Sequence, residues 1–242
     1  MDTYDRIRIV LVETSHPGNI GAAARAMKTM GLSRLYLVSP SAYPHADATA
    51  RAAGADDILS DAEVVASLSE ALRGCSLSVG TSARERTVDW PRLGPRQCGQ
   101  RLADEAEAGR EAALVFGRER TGLNNEELDL CQFQVQIPSN PAYSSLNLAA
   151  AVQVLSYELR LAIGEAPRRA RRDPADVPAR FEEVEALYQA LEDALVAWDF
   201  LDPDNPRHLM RRLRRLFGRA GLTRNEVNIL RGILSAARRS GG

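Results

Sequence analysis

Between Ile7 and Ile163, runs of apolar, often β-branched residues alternate with stretches whose apolar residues recur at helical spacing. Ile7–Val12, Leu35–Val38, Leu77–Gly80, Ala113–Phe116 and Val135–Ile137 read as buried strands. Helices are predicted over Ile20–Met30, ending at Gly31, and over Asp61–Arg73, ending at Gly74. Each glycine stands where a helix C-cap favours a residue free to turn left-handed. A longer helix is predicted over Ser145–Ile163. Strand and helix in alternation imply an α/β fold with a parallel sheet flanked by helices.

The pattern breaks after Gly164. The segment Glu165–Pro178 is rich in charge and proline and has no apolar periodicity, which marks a linker. A small all-helical domain is expected beyond it, giving domains 1–164 and 179–242 joined by the linker 165–178. Phe181, Val184, Tyr188, Leu191, Leu195 and Trp198 form one apolar stripe. Leu209, Leu213, Leu216 and Phe217 form another. Thr223 and Glu226 make a capping box before Val227, Leu230, Ile233 and Leu234.

Charge also divides, at residue 205. The chain carries a net charge of −1, yet residues 205–242 hold ten arginines against the single acid Glu226, a net of +9, which leaves −10 for the rest. A basic end of this kind suits nucleic acid. Because Lys28 is the only lysine, the local excess over acids is the informative quantity, not the abundance of arginine.

With 242 residues the chain can build one sizeable α/β core and a small appendage. No apolar run approaches transmembrane length and the start Met1–Arg6 lacks a signal-peptide pattern, so a cytoplasmic protein is expected. Cys75, Cys98 and Cys131 are odd in number and far apart. With His16, His45 and His208 they form no metal-ligand spacing, so neither a disulfide framework nor a metal is expected.

Three segments carry candidate chemistry. Glu13–Met27 follows the first strand and contains Asn19, Gly21 and Arg25; Leu114–Leu123 runs a strand into a turn with Gly117 and Gly122; Pro138–Ala149 is a polar loop feeding a helix. Glycine permits close approach of backbone to a ligand, although one glycine after a strand also marks a plain strand end. A Rossmann nucleotide site is disfavoured. It wants a Gly-x-Gly turn after the first strand and an acid ending the second, where this chain has Ser15–Gly21 and Ser39-Pro40.

In this order the three segments resemble the motifs of the SPOUT superfamily of RNA methyltransferases, in its ribose 2′-O-methylating branch. Val12–His16, Gly80–Arg84, Trp90-Pro91, Phe116–Arg120, Tyr143–Asn147 and Leu216-Phe217 narrow the resemblance to the TrmJ type, and it covers nearly the whole chain. That type methylates cytidine or uridine at position 32 of the tRNA anticodon loop. The resemblance implies a SPOUT-type parallel sheet with a deep C-terminal trefoil knot, which sequence rhythm alone does not reveal. It also implies a homodimer, S-adenosylmethionine (SAM) as cofactor and tRNA as partner. The alternatives are a 2′-O-methyltransferase of another tRNA or rRNA site, and a non-catalytic RNA-binding or assembly factor. Asn19, Arg25, Ser145 and Asn147 occurring together speak for an active enzyme.

By the same resemblance, SAM lies among Thr81, Ser82, Ala83, Gly117, Arg118, Glu119, Ile137, Ser145 and Leu146. The catalytic set is Arg25, Asn19, Ser145, Asn147 and Glu13. Arg25 stands beside the ribose and its phosphate, Glu13 and Asn19 shape the loop, and Ser145 and Asn147 position substrate and the methionine part of SAM. A guanidinium keeps its proton in proteins, so Arg25 is expected to anchor phosphate and stabilise developing alkoxide charge. Asn19 and Ser145 equally suit helix N-capping. Arg84 and Arg86, with Arg211, Arg214 and Arg215, are the expected tRNA contacts. The stripe Leu148, Val152, Leu155 and Leu159 is expected at a dimer contact, packing within one chain being the other reading.

Overall fold

The computed structural model describes residues 2–82, 90–143, 145–165 and 177–240, which form two compact units, within residues 1–169 and within 170–242. Ala83, Arg84 and Arg86 lie outside the described residues, as does most of the expected linker.

The first unit holds β1 (Ile7–Val12), β2 (Arg34–Val38), β3 (Glu63–Val65), β4 (Cys75–Thr81), β5 (Arg92–Leu93), β6 (Glu111–Phe116) and β7 (Phe133–Val135). They form one sheet in the order β3-β2-β1-β6-β4-β7-β5, with every neighbouring pair parallel. All six residues of β1 are buried. A strand covered on both faces needs a continuous apolar run, which is why it is legible in the sequence. Even Arg8 is only 7 % exposed there; it donates to the Ala71 carbonyl at 2.7 Å and to Glu111, and its guanidinium lies 4.9 Å from the Tyr36 ring centre.

The flanking helices are α1 (Pro17–Met30), α2 (Ala46–Ala52), α3 (Asp56–Ser60), α4 (Leu68–Leu72), α5 (Pro95–Glu107), α6 (Asn125–Asp129) and α7 (Leu148–Glu165). α7 packs on α1 and α5, an arrangement compatible with the threaded C-terminal segment that the resemblance implies. α1 starts at Pro17, earlier than expected, because proline is suited to a first helical turn, and it ends on Gly31 at φ 85 as expected.

α7 begins at Leu148 rather than Ser145, and two further elements differ from the sequence reading. The helix expected over Asp61–Arg73 is instead β3 followed by α4. Glu63-Val64-Val65 pairs with β2 as the sheet edge, and the Ser67 hydroxyl caps α4 by accepting the Glu70 N–H at 3.3 Å. The last strand runs over Phe133–Val135 rather than Val135–Ile137. Its partner β4 sets the register through Val79 opposite Phe133, and the buried Gln134 conceals the run. The stripe Leu148, Val152, Leu155 and Leu159 is buried in this unit's own core, so packing within one chain accounts for it.

The second unit consists of α8 (Phe181–Ala197), α9 (Leu209–Ala220) and α10 (Arg224–Ser240). Ala179, Leu187 and Val227 are its buried core, with Val184, Leu222, Leu230 and Leu234 against them. The capping box is formed: Thr223 N–H donates to Glu226 at 2.8 Å, and Glu226 N–H to the Thr223 hydroxyl at 3.2 Å. Leu216 and Trp198, expected in apolar stripes, are 49 % and 44 % exposed. α8 stops at Ala197, so Trp198 falls beyond its last turn.

Candidate functional site

A cavity of about 340 Å³ opens where β4, β6 and β7 end, the side of a parallel sheet on which ligands bind. Thr81 and Ser82 come from the end of β4, Gly117, Arg118 and Glu119 from the loop after β6, Ile137 from beyond β7, and Ser145 and Leu146 from the approach to α7. Phe116, Val135, Leu148 and Ala151 add apolar wall. These four were missed by the sequence reading; for Leu148 and Ala151 the signal was their i, i+3 spacing, which puts both on one face of the first turn of α7.

The loop after β6 is folded tightly. Gly122 N–H donates to the Arg118 carbonyl at 2.9 Å, and a Cβ on Gly117 would stand 2.2 Å from the Gly122 carbonyl carbon, so only glycine fits. Arg118 then spans two carboxylates. Its Nε donates to Glu13 at 2.8 Å, while Nη1 and Nη2 each stand 3.0 Å from an oxygen of Glu127. These bonds raise the Arg118 pKa above its ordinary value. The Glu13 carboxyl is held below the usual carboxylate range, chiefly by the Arg118 hydrogen bond. Glu13 sits at φ 47, a left-handed backbone that a non-glycine residue adopts at a cost.

Glu119 turns the other way and meets the first motif. Its Oε2 accepts from Ser15 N–H at 3.1 Å and the Ser15 hydroxyl at 2.8 Å; its Oε1 accepts from His16 N–H at 3.2 Å and Asn19 Nδ2 at 3.0 Å. Burial alone would raise its pKa. The hydrogen bonds from Asn19, its own amide and Ser15 outweigh that, and the pKa falls to about 2. Glu119 is therefore a carboxylate fixed at the entry to α1, where the helix dipole also favours negative charge.

Asn19 passes the connection on. Its Oδ1 accepts from Asn147 Nδ2 at 3.2 Å, and Asn147 Oδ1 accepts from the amides of Ala149 at 2.9 Å and Ala150 at 3.4 Å. Asn147 thus caps α7. The capping expected of Asn19 and Ser145 is not what the structure has: Asn19 lies inside α1, whose N-cap is His16, and Ser145 precedes the α7 cap.

Among the expected catalytic residues, Glu13, Asn19, Ser145 and Asn147 gather at the cavity and its supporting loops, whereas Arg25 does not border it. Arg25 is exposed on α1, about 9 Å along the helix from Asn19 by the ordinary rise per residue. Its side chain makes no hydrogen bond or ion pair among the described residues. In the second unit Arg214 is committed to packing, with Nη1 and Nη2 at 2.5 and 2.8 Å from Glu185 and its guanidinium 4.4 Å from the Tyr188 ring centre. Burial pushes the Tyr188 hydroxyl up to about 12. Arg211 and Arg215 are half-buried on α9. No cluster of three His, Cys, Asp or Glu residues that could hold a metal ion, and no helix long and apolar enough to cross a membrane, occurs among the described residues.

Residues 6–157 match the model of the SpoU rRNA methylase family, and residues 182–241 match that of the C-terminal domain of the tRNA methyltransferase TrmJ. A relative from Pseudomonas aeruginosa, named tRNA (cytidine/uridine/adenosine-2′-O-)-methyltransferase TrmJ, is 56% identical over 239 residues, covering 96% of this chain and 93% of the relative. One from Pectobacterium atrosepticum, named tRNA (cytidine/uridine-2′-O-)-methyltransferase TrmJ, is 53% identical over 98% of both chains. The crystal structure of TrmJ from Z. mobilis superposes with a TM-score of 0.82 at 33% identity, over 96% of this chain and 98% of the other. Matched along nearly its full length in sequence and in overall structure, the chain belongs to the SpoU methylase family, in the branch that carries the TrmJ C-terminal domain.

Proposed function

We propose that this chain methylates the ribose 2′-hydroxyl of cytidine or uridine at position 32 of the tRNA anticodon loop, using SAM, as a cytoplasmic homodimer. The observation that carries the reading is the hydrogen-bonded path from Glu119 through Asn19 to Asn147, which unites the three motifs beside the cavity.

The residues present fit SAM. A cavity of about 340 Å³ lies within the range of small-molecule sites, Gly117 lets the loop after β6 fold tightly at its border, and Phe116, Ile137 and Leu146 offer apolar wall beside loop backbone. When bound, SAM supplies an electrophilic methyl group. Thr81, Ser82, Ala83, Gly117, Arg118, Glu119, Ile137, Ser145 and Leu146 are assigned to hold it. Arg25 anchors the phosphate beside the target ribose and steadies alkoxide charge. Its guanidinium stays protonated, so the hydroxyl proton leaves through phosphate or water. Glu13 is bound by Arg118 and its basicity is lowered, which suits it to holding the cofactor loop rather than taking a proton. Asn19, Ser145 and Asn147 keep loop and substrate aligned.

Residues 1–164 form the methyl-transferring domain, and residues 179–242 the tRNA-binding extension beyond the linker. Arg84, Arg86, Arg211 and Arg215 contribute phosphate contacts. For the dimer, the partly exposed stripe Val154, Tyr157 and Leu161 on α7 takes the place of the buried stripe expected from sequence.

The test is methyl transfer from labelled SAM to total tRNA lacking the modification, with the modified nucleotide mapped; adenosine is included because the Pseudomonas aeruginosa relative's name carries it. Label at the 2′-oxygen of position 32 is the expected outcome. Methylation elsewhere in tRNA or in rRNA, or no transfer by a protein that binds SAM, would overturn it.

A further inference from the structure

The loop joining α8 to α9 is built to hold a large apolar side chain outward. Asp199 turns left-handed at φ 58, after which the amides of Phe200 and Leu201 both donate to the Leu195 carbonyl at 3.0 Å. Leu201 is thereby sunk into the helical unit at 4 % exposure while Phe200 stands 69 % exposed. The rest of the loop is ordered by Asp202, whose Oδ1 accepts from Asp204 N–H at 2.9 Å and whose carbonyl accepts from Asn205 N–H at 3.2 Å. Arg207, at φ 49, is a second non-glycine residue in the left-handed region, and α9 begins two residues later. Two such residues bracketing one loop mark a conformation that is held against local preference.

What the loop encloses is a cavity of about 690 Å³, the larger of the two described, bordered by Phe200, Asp202, Asn205, Arg207, His208 and Arg212 among others. Arg207 and Arg212 are exposed and form no side-chain hydrogen bond or ion pair among the described residues, in contrast to Arg214 nearby in sequence. A flat aromatic face, a carboxamide and a carboxylate, and two uncommitted guanidinium groups are the set that a single-stranded nucleotide engages: base on ring, base edge on polar groups, phosphate on arginine.

We propose that this cavity is a nucleotide-binding site for an unpaired stretch of the RNA substrate, with Phe200 as stacking platform and Arg207 and Arg212 as phosphate ligands. The proposal rests on the reading of the chain as a tRNA methyltransferase and adds to it residues of the helical unit that grip the RNA. Charge selects RNA over a protein partner as the occupant, because the lining holds Arg207 and Arg212 against the single acid Asp202, and both arginines belong to the segment 205–242, whose net charge is +9.

The test uses the full chain and a tRNA transcript, with affinity measured across a salt series. All three residues are exposed, so Phe200→Ala and the double variant Arg207→Gln/Arg212→Gln should fold, which circular dichroism and SAM binding check. Phe200→Ala is expected to weaken tRNA binding by roughly tenfold with the salt slope unchanged, since stacking releases no counterions; Phe200→Tyr should restore it. The double arginine variant should flatten the slope by roughly 1 to 2. In turnover, both should raise KM and leave kcat at saturating tRNA intact. Unchanged affinity and slope overturn the proposal. So does a Phe200→Ala effect confined to self-association in light scattering, which would make the loop a contact with a second copy of the chain. If the wild type binds tRNA but does not methylate it, the functional reading fails while the variants still decide the site.

Discussion

Asn147 Nδ2 donates to Asn19 Oδ1 at 3.2 Å across 128 positions of sequence, and the sense of that bond is dictated from both ends. On one side Glu119, ionised and able only to accept, forces Asn19 to present its Nδ2, leaving Oδ1 to face Asn147. On the other, the α7 amides of Ala149 and Ala150 demand an acceptor, so Asn147 gives them Oδ1 and turns Nδ2 toward Asn19. The three motifs therefore form a polar relay with one allowed orientation.

Asn147→Asp tests that orientation. Aspartate caps a helix as well as asparagine, so α7 should persist, but an acceptor would now meet Asn19 Oδ1. Methyl transfer is expected to fall roughly tenfold or more below that of Asn147→Ser, which both caps and donates; an unsatisfied partner beside a charge costs about 1–3 kcal/mol. Equal activity of the two variants would show that the relay has no directional role.

The ionisation of Glu119 gives a pH expectation. Its folded pKa, about 2, lies below the ordinary 4.5, so its contribution to stability is fully present above about pH 4.5 and is lost as pH falls toward about 2. A carboxyl-carbon NMR titration should show the Glu119 midpoint well below those of exposed glutamates, and Asn19→Ala should move it upward. A midpoint near 4.5 in the native protein would contradict the hydrogen-bonded arrangement.

Gly117→Ala is expected to disrupt the tight loop after β6 that borders the cavity. The added methyl group would meet backbone at 2.2 Å, which no rotamer change relieves, so a loss of about 1–3 kcal/mol of stability should accompany the loss of SAM binding. Calorimetry and thermal melting measure both, and normal SAM affinity would show that the tight fold of this loop is not needed to hold SAM.

Arg25→Ala should lower kcat by roughly a hundredfold or more, in line with the loss of one charge-stabilising donor, while SAM affinity stays within a few-fold. Arg25 does not border the cavity, so its removal leaves the cofactor loops intact. Near-normal turnover at saturating tRNA would refute its catalytic role, and loss of SAM binding would make it structural.

The local features were legible because local physics makes them. The buried run Ile7–Val12, the stop of α1 at Gly31 and the capping box of Thr223 and Glu226 each follow from neighbours within a few residues. The turn at Gly117 and the loop into α7 stood out for the same reason. The tertiary structure alone decided which parts meet. β3 exists as a strand because β2 offers it an edge, and the α7 stripe is core because α1 and α5 cover it. Arg214 faces inward because Glu185 and Tyr188 lie beside it, while Arg207 and Arg212 remain on the surface around Phe200. Above all, Glu119 reads in sequence as one acid between two arginines. Four of its donors come from the first motif, on a strand–helix junction that only the β1–β6 pairing brings alongside. Periodicity reports the face a residue presents, whereas contacts across a hundred positions depend on which strands become neighbours in the sheet, here β1 beside β6, and a local pattern does not name its partner.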